Sequence, residues 1–420
     1  MMEEGKIASL GRKFGCALEL YSEAHHARVF SAEGASIHAR DAVRNNGYAV
    51  RTIRNGHLGF FSFESLTELV GAVEKSIKLG RLQEKGDYFF PGKRGSSIRF
   101  LDRKAFDFED WATEELEGML EVHRKEKVRP VQNILGSGTT KKTIANSEGG
   151  QTSQESTFFY AISQCSYKDT EADDSLSSAR FAFSPPDAAR KAAEFAKASA
   201  NAGPAKAGRM EVIFDIRGLL PLLQLFMPFN LNAESLRKKL TRLRIGGRFA
   251  GRGISIIDEP SMEKGARPIE FDDEGFRSKP LALIRNGRVS GFISDMRTAA
   301  KMKKMAPGNA FRGSFNSTPS ASFTNISISG NAGDLLGGCD RGIYVNSFLT
   351  SGANAVTGDF SFPLLTAFHV KGGEIGNAIR GAMMKGNFFE MMGTARFEAR
   401  RDIYNGLQSG RMACELDIIC

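Results

Sequence analysis

Hydrophobic and polar positions alternate through much of the first sixty residues. Ala17 to Glu33 alternates loosely, and Tyr48-Ala49-Val50-Arg51-Thr52-Ile53 faces Leu58-Gly59-Phe60-Phe61-Ser62-Phe63 across Arg54-Asn55-Gly56-His57. A period of two marks half-buried strands, and Asn-Gly between apolar runs predicts a hairpin because both residues tolerate positive φ. The period then lengthens. Leu66, Leu69, Val70, Val73 and Ile77 share one helical face, Ser65 and Glu68 form a capping box, and Gly80 ends the helix. That helix is expected to cover one face of the sheet.

A second helix is predicted from about Asp107 to Arg124, carrying the single tryptophan, Trp111. A strand ending in Lys142-Thr143-Ile144-Ala145, a turn at Asn146 to Gly150 and a strand through Phe158 to Ile162 follow. Asp169 to Asp174 reads as an acidic loop. Pro186 opens an Ala-rich helix to about Ala200, stopped by Asn201-Ala202-Gly203-Pro204. Beyond it the pattern is short strands with Gly turns: Met210 to Ile216, Gly253 to Ile257, Leu281 to Ile284 turning at Asn286-Gly287, Ala321 to Ile328, Gly342 to Phe348 and Thr366 to Val370. The expectation is an α+β protein: an N-terminal helix-on-sheet domain at 1–83, a linker at 84–105, a middle α+β domain at 106–203, and a mainly antiparallel, curved or barrel-like β domain at 204–420.

Composition narrows the function classes. A chain of 420 residues with 41% apolar and 25% charged positions has room for two or three cores. The 45 glycines are scattered, which favours tight turns over a helical bundle. No stretch is long and apolar enough to span a bilayer; the longest, Gly218 to Leu231, contains Pro221 and Pro228, read as breaking it. Residues 1–15 lack a signal-peptide core, and five widely spaced cysteines read as reduced thiols, so a cytoplasmic setting is expected.

The net charge of +9 raises the question of anionic partners. The densest basic cluster, Arg237-Lys238-Lys239 with Arg242 and Arg244, reads as a solvated helix face. No aromatic residues interleave with it to stack bases, so nucleic acid is disfavoured as a partner. Gly246 to Gly253 lacks the Gly-Lys-Ser/Thr ending of a phosphate loop and reads as a flexible loop, although its two arginines could clamp an acidic group.

Hydrolytic chemistry finds few candidates. His25-His26 are adjacent, so in a strand they face opposite sides; the other four histidines are isolated. No Gly-x-Ser-x-Gly elbow and no Cys/His spacing of a zinc site occurs.

Four segments carry a stronger signal: Ile144-Ala145-Asn146-Ser147-Glu148-Gly149; Phe271-Asp272-Asp273-Glu274-Gly275; Thr324-Asn325 before Ile326; and Gly358-Asp359-Phe360-Ser361, closing a run that begins at Arg341-Gly342-Ile343-Tyr344-Val345. In this order, across nearly the whole chain, they resemble the TldD/PmbA family, long called modulators of DNA gyrase. The resemblance implies a cytosolic peptidase assembly in which the TldD subunit holds a metal on a His-Glu-x-x-x-His helix, with a further cysteine near its C-terminus. This chain has no His-Glu pair. After the Met210–Ile216 strand the matching positions are Pro221, Leu222 and Phe226, and Thr394 to Asn405 holds no cysteine.

The chain is therefore identified as resembling the metal-free TldE (PmbA) type, with no catalytic or metal-ligating residue of its own and zinc expected only in a partner. The implied role is to complete a peptide cavity in a heterodimer with a TldD-like subunit that processes unfolded peptides. Motif and cavity candidates are Asn146, Ser147, Gly149, Asp272, Glu274, Asn325, Gly358, Asp359 and Phe360, most of them also natural turn-makers. A metal-free homodimer that binds peptides, and a nucleic-acid or gyrase-associated factor, remain the alternatives.

Overall fold

The computed structural model describes residues 4–92 and 94–420. The N-terminal half is built on one sheet. Strand β1 (Ala17–Glu33) pairs with β2 (Ser36–Arg54), which pairs with β3 (His57–Phe63) across the Asn55-Gly56 turn, where φ is 54° and 78°. On its other side β1 pairs with β5 (Arg129–Asn146), then β6 (Gly150–Tyr167). Along β6 lie both β4 (Arg94–Phe100), parallel to it, and β7 (Thr170–Ser178).

Three expectations change here. Pairing from Glu19↔Asn146 to Glu33↔Gln132 puts the segments expected as separate domains, 1–83 and 106–203, into one sheet. The 84–105 linker contributes β4, and the acidic loop from Asp169 begins β7. The physical reason is common to all three: an unpaired strand edge seeks a partner, and these segments supply it.

Helices line one face of the sheet. α1 (Glu4–Phe14) and α2 (Leu69–Gly80) set Ile7, Leu69, Val73 and Ile77 on Leu18, Leu20, Val50 and Ala145. The expected capping box forms, with Glu68 accepting from the Ser65 N–H. Farther along, α3 (Phe108–Lys125) and α4 (Pro185–Ala200) cover Leu135 and Ala161 with Phe108, Leu116, Met119 and Ala189. The alternate residues of these strands, among them Ala17, Tyr21, Ala49 and Ile144, meet the C-terminal half through Phe276, Met296 and Phe315.

In the C-terminal half, strands Gly208–Phe214, Met412–Ile419, Met383–Asn387, Asp359–Lys371 and Arg341–Phe348 pair in that order, and the last returns to the first. They close a barrel in which only the Gly208–Phe214 and Arg341–Phe348 pair is parallel. Closure removes strand edges from solvent.

Asp215 caps α5 (Ile216–Asn230), its carboxylate accepting the Arg217 N–H, so the helix starts where the strand was expected to end. Pro221 and Pro228 lie inside this helix rather than breaking it. Leu219, Leu222, Leu223 and Phe226 are fully or almost fully buried in the barrel core, and burying each is worth about 1.5–3 kcal/mol, enough to offset the hydrogen bonds that proline forgoes. No helix among the described residues is long and apolar enough to cross a membrane.

Candidate functional site

A cleft of about 670 Å³ opens on the outside of the barrel where strand Asp359–Lys371 begins. Gly358 turns the chain into that strand with φ of 86°, and a Cβ there would lie 2.5 Å from the Phe389 ring. Asn387 locks the turn. Its side-chain amide donates to the Thr357 carbonyl (2.9 Å) and the Asp359 carboxylate (2.8 Å), while its Oδ1 caps helix Phe388–Thr394 by accepting the N–H groups of Phe389 and Glu390. The Asn387 hydrogen bond, with that of Thr357, holds the Asp359 carboxyl below its ordinary range. Phe360 is 3% exposed and forms the floor, stacked on Phe362 at 4.9 Å and 6.0 Å from Phe226.

Arg209, Lys385, Asp359, Glu390, Glu415 and Asp417 charge the walls, with Arg209 paired to Glu415 (3.2 Å) and near Asp417 (3.9 Å). No imidazole or thiol lines the cleft. Cys414, next to Glu415 in sequence, points into the core, and burial pushes its thiol far above the ordinary range. The cleft can hold a chain by hydrogen bonds and charge. It presents no activated nucleophile and no general base beside one.

The helix position that would bear a metal is packed instead. Pro221 stands at the first histidine position of the motif; Leu222, at its glutamate position, and Phe226, at its second histidine position, have no exposure, and Phe226 stacks on Phe388 at 4.5 Å. None of these side chains has a donor atom, and no group of three His, Cys, Asp or Glu among the described residues is arranged to hold a metal ion. The residues present do not fit a zinc site.

The remaining motif residues lie elsewhere, and Glu274 with its neighbour Asp273 ties the two halves together. Glu274 accepts from Arg51 (2.6 Å) and from the Met296 N–H (2.6 Å). Arg51 also donates to both oxygens of Glu19 (2.7 and 2.8 Å), and the Arg312 guanidinium lies 3.7 Å from Glu19. Burial pushes the Glu274 carboxyl up, opposed by the Arg51 charge. Asp272 accepts the backbone N–H groups of Glu274, Phe276 and Ala310, and Asp273 pairs with Lys142 at 2.8 Å. Asn146 bridges the Pro91 carbonyl and the N–H groups of Glu148 and Gly150, and Gly149 supplies φ of 81°. The Ser147 hydroxyl accepts the Leu18 N–H. Asn325 holds Glu259 and Arg267 together through their backbones. Of the nine candidates, only Gly358, Asp359 and Phe360 are at the cleft, Gly358 through its turn.

Sequence reasoning missed Asn387, Arg209 and Lys385, which belong to strands and a cap with no motif of their own. A second tie was also missed: Arg217 at the start of α5 donates to Asp174 of β7 (2.9 and 3.2 Å), and Tyr404 donates to the same carboxylate at 3.2 Å.

Residues 207–413 match the family model described as the PmbA/TldA metallopeptidase C-terminal domain. An uncharacterized protein of Methanocaldococcus jannaschii is 26% identical over 398 residues, covering 93% of each chain. A metalloprotease TldD homolog of Haemophilus influenzae is 27% identical over 209 residues, 49% of this chain and 43% of its own length. The likeness to that relative thus spans less than half of it. The solved structure of TldE from Thermococcus kodakarensis superimposes with a TM-score of 0.84 over 99% of both chains at 20% identity, a likeness of fold.

Proposed function

The chain belongs to the TldD/PmbA family of metallopeptidase-type proteins, and on that premise we propose that it is a non-catalytic, TldE-like subunit. In this reading a TldD-like partner supplies the metal and the hydrolytic water in the cytoplasm. This chain completes the wall of a cavity that accepts unfolded peptide, which lies along Asp359, Phe360 and Asn387. The observation that carries the reading is that Pro221, Leu222 and Phe226 stand where a metal-site helix would carry His, Glu and His, the last two without exposure in the barrel core.

The test uses the full chain, purified alone and together with the His-Glu-x-x-x-His protein of its own cell. Expected are metal well below one ion per chain and no hydrolysis of an unfolded peptide alone, with co-purification and activity for the pair. One zinc per chain together with intrinsic peptidase activity overturns the reading. A stable metal-free homodimer that ignores the second protein and retains peptide replaces it with self-pairing.

A further inference from the structure

One surface carries charge that no carboxylate answers among the described residues, the Arg288 guanidinium donating only to the Gly246 carbonyl (2.8 Å). In the second sheet of the C-terminal half, Arg285 and Arg288 sit directly opposite each other across the Asn286-Gly287 turn, and Arg248 is bridged to Arg288 from the next segment. Residues opposite each other in a ladder project to the same face with Cβ atoms about 5 Å apart, and like charges there repel. The register is fixed by backbone bonds on both sides: Gly246 N–H to Val289, Val289 N–H to Gly247, Phe249 N–H to Gly287 and Gly287 N–H to Ile254. All three arginines are exposed, and among the described residues none has a carboxylate within ion-pair distance. Arg244 and Arg252 lie in the same loop, also exposed and also without such a partner.

The loop that was expected to be flexible is thus zipped along the hairpin around Asn286-Gly287, which holds guanidinium groups in a row. The row adjoins the cleft. Phe249 packs 5.9 Å from Phe388, a Cβ on Gly251 would lie 2.9 Å from the Ala395 carbonyl, and the helix between them, Phe388–Thr394, gives Glu390, Met391 and Thr394 to the cleft wall. Arg242 completes the link: it donates to the Thr357 carbonyl (2.7 Å) and lies 4.4 Å over the Phe389 ring, beside the Asp359 turn.

We propose that this arginine ladder is a docking surface for an acidic stretch of extended polypeptide, held just outside the cleft. The inference rests on the reading of that cleft as a peptide path. Guanidinium forks match carboxylates two hydrogen bonds at a time, and an incoming polyanion relieves the repulsion within the row. The neighbouring exposed apolar side chains are Leu240 and Ile245, which suit a polypeptide; no exposed aromatic stands in the row to stack a base.

The experiment measures binding of a fluorescent octaglutamate peptide to the full chain by anisotropy, in about 50 mM salt so that surface charge is not screened away. The triple variant Arg248→Ser/Arg285→Ser/Arg288→Ser is expected to lose about tenfold or more in affinity, as three exposed charge pairs together allow. A charge-matched variant on another face, Lys78→Ser/Arg81→Ser/Arg103→Ser, is expected to change it less than about twofold, and octaglutamine is expected not to bind. Equal weakening by both triple variants reduces the effect to net charge and overturns the proposal. So does tighter binding of an oligothymidylate of equal charge, which would assign the row to nucleic acid. Neither partner subunit nor metal is needed, so this result stands or falls separately from the subunit assignment.

Discussion

Replacing Glu274 by Ala should unfasten the two halves of the molecule. Glu19 and Arg51 stand on the face of the N-terminal sheet that meets the C-terminal half, which supplies Glu274 and Arg312, so two carboxylates and two guanidinium groups balance at the contact. The side chains of Arg51, Glu19 and Glu274 are 3%, 0% and 3% exposed, so water cannot answer a charge left behind. Removing one member of a buried set costs about 3–5 kcal/mol, largely because its partner stays charged and dry. The Met296 N–H also loses its acceptor, which at a buried site adds about 1 kcal/mol or more.

Urea unfolding followed by far-UV circular dichroism and by Trp111 fluorescence reads the change. The indole lies edge-on to Phe108 at 5.0 Å and reports the N-terminal half. The expected loss is about 4 kcal/mol. Arg103→Ala, which breaks an ion pair whose members are 93% and 54% exposed, should stay within about 0.5 kcal/mol. Substituting Glu19, Arg51, Glu274 and Arg312 together with Leu or Met should recover most of the loss, since no unpaired charge remains. A Glu274→Ala protein within about 1 kcal/mol of the parent would refute the claim that this network joins the halves.

Three further outcomes are expected. Pro221→His/Leu222→Glu/Phe226→His restores the His-Glu-x-x-x-His residues but buries a carboxylate in the barrel core and an imidazole against Phe388 and Phe360, so it should lower the melting temperature by several degrees and take up no stoichiometric zinc on dialysis. Burial pushes the Asp258 carboxyl up to about 6 against the hydrogen bonds from Thr324. Its folded pKa therefore lies above its unfolded value of about 4, and the stability it contributes is fully present below that value and lost as pH rises through 6. Asp258→Asn should accordingly remove a fall in stability, read by urea unfolding as pH rises from 4 to 6, of at most about 3 kcal/mol. The Phe315 ring occupies the space a Cβ on Gly47 would need, so Gly47→Ala should cost about 1–3 kcal/mol by displacing it from Tyr21 and Ala49, and Phe315→Leu in the same chain should recover part of that loss.

Local rules were legible because local chemistry enforces them. The Ser65–Glu68 capping box, the Asn55-Gly56 and Asn286-Gly287 turns and the Ala-rich helix ending at Ala200 need only neighbours in sequence. The separation of 1–83 from 106–203 came from composition alone, and it disappears in the pairing of β1 with β5, which joins residues about a hundred or more positions apart. The α5 prolines were misread for a related reason. Propensity forbids them in a helix interior, yet Leu219, Leu222, Leu223 and Phe226 fall on one face, and packing in the barrel core outweighs the lost backbone bonds.

The motif residues divide for the same physical reason. Phe271-Asp272-Asp273-Glu274-Gly275 looks like a solvated acidic turn, and in alternating strands Glu19 beside Leu18 and Arg51 beside Val50 look like the wet side of a sheet. That inference assumes a sheet with one covered face. Here helices cover one face and the C-terminal half covers the other, so charges on the supposed outer face must find one another, and the acidic turn is where they do. Gly358-Asp359-Phe360 escapes this fate because its strand begins at the rim of a closed barrel, where Asn387 holds the turn and the Asp359 side chain stays exposed over the buried Phe360. What separates the scaffold motifs from the cleft motif is the number of layers above each, a property no single segment encodes.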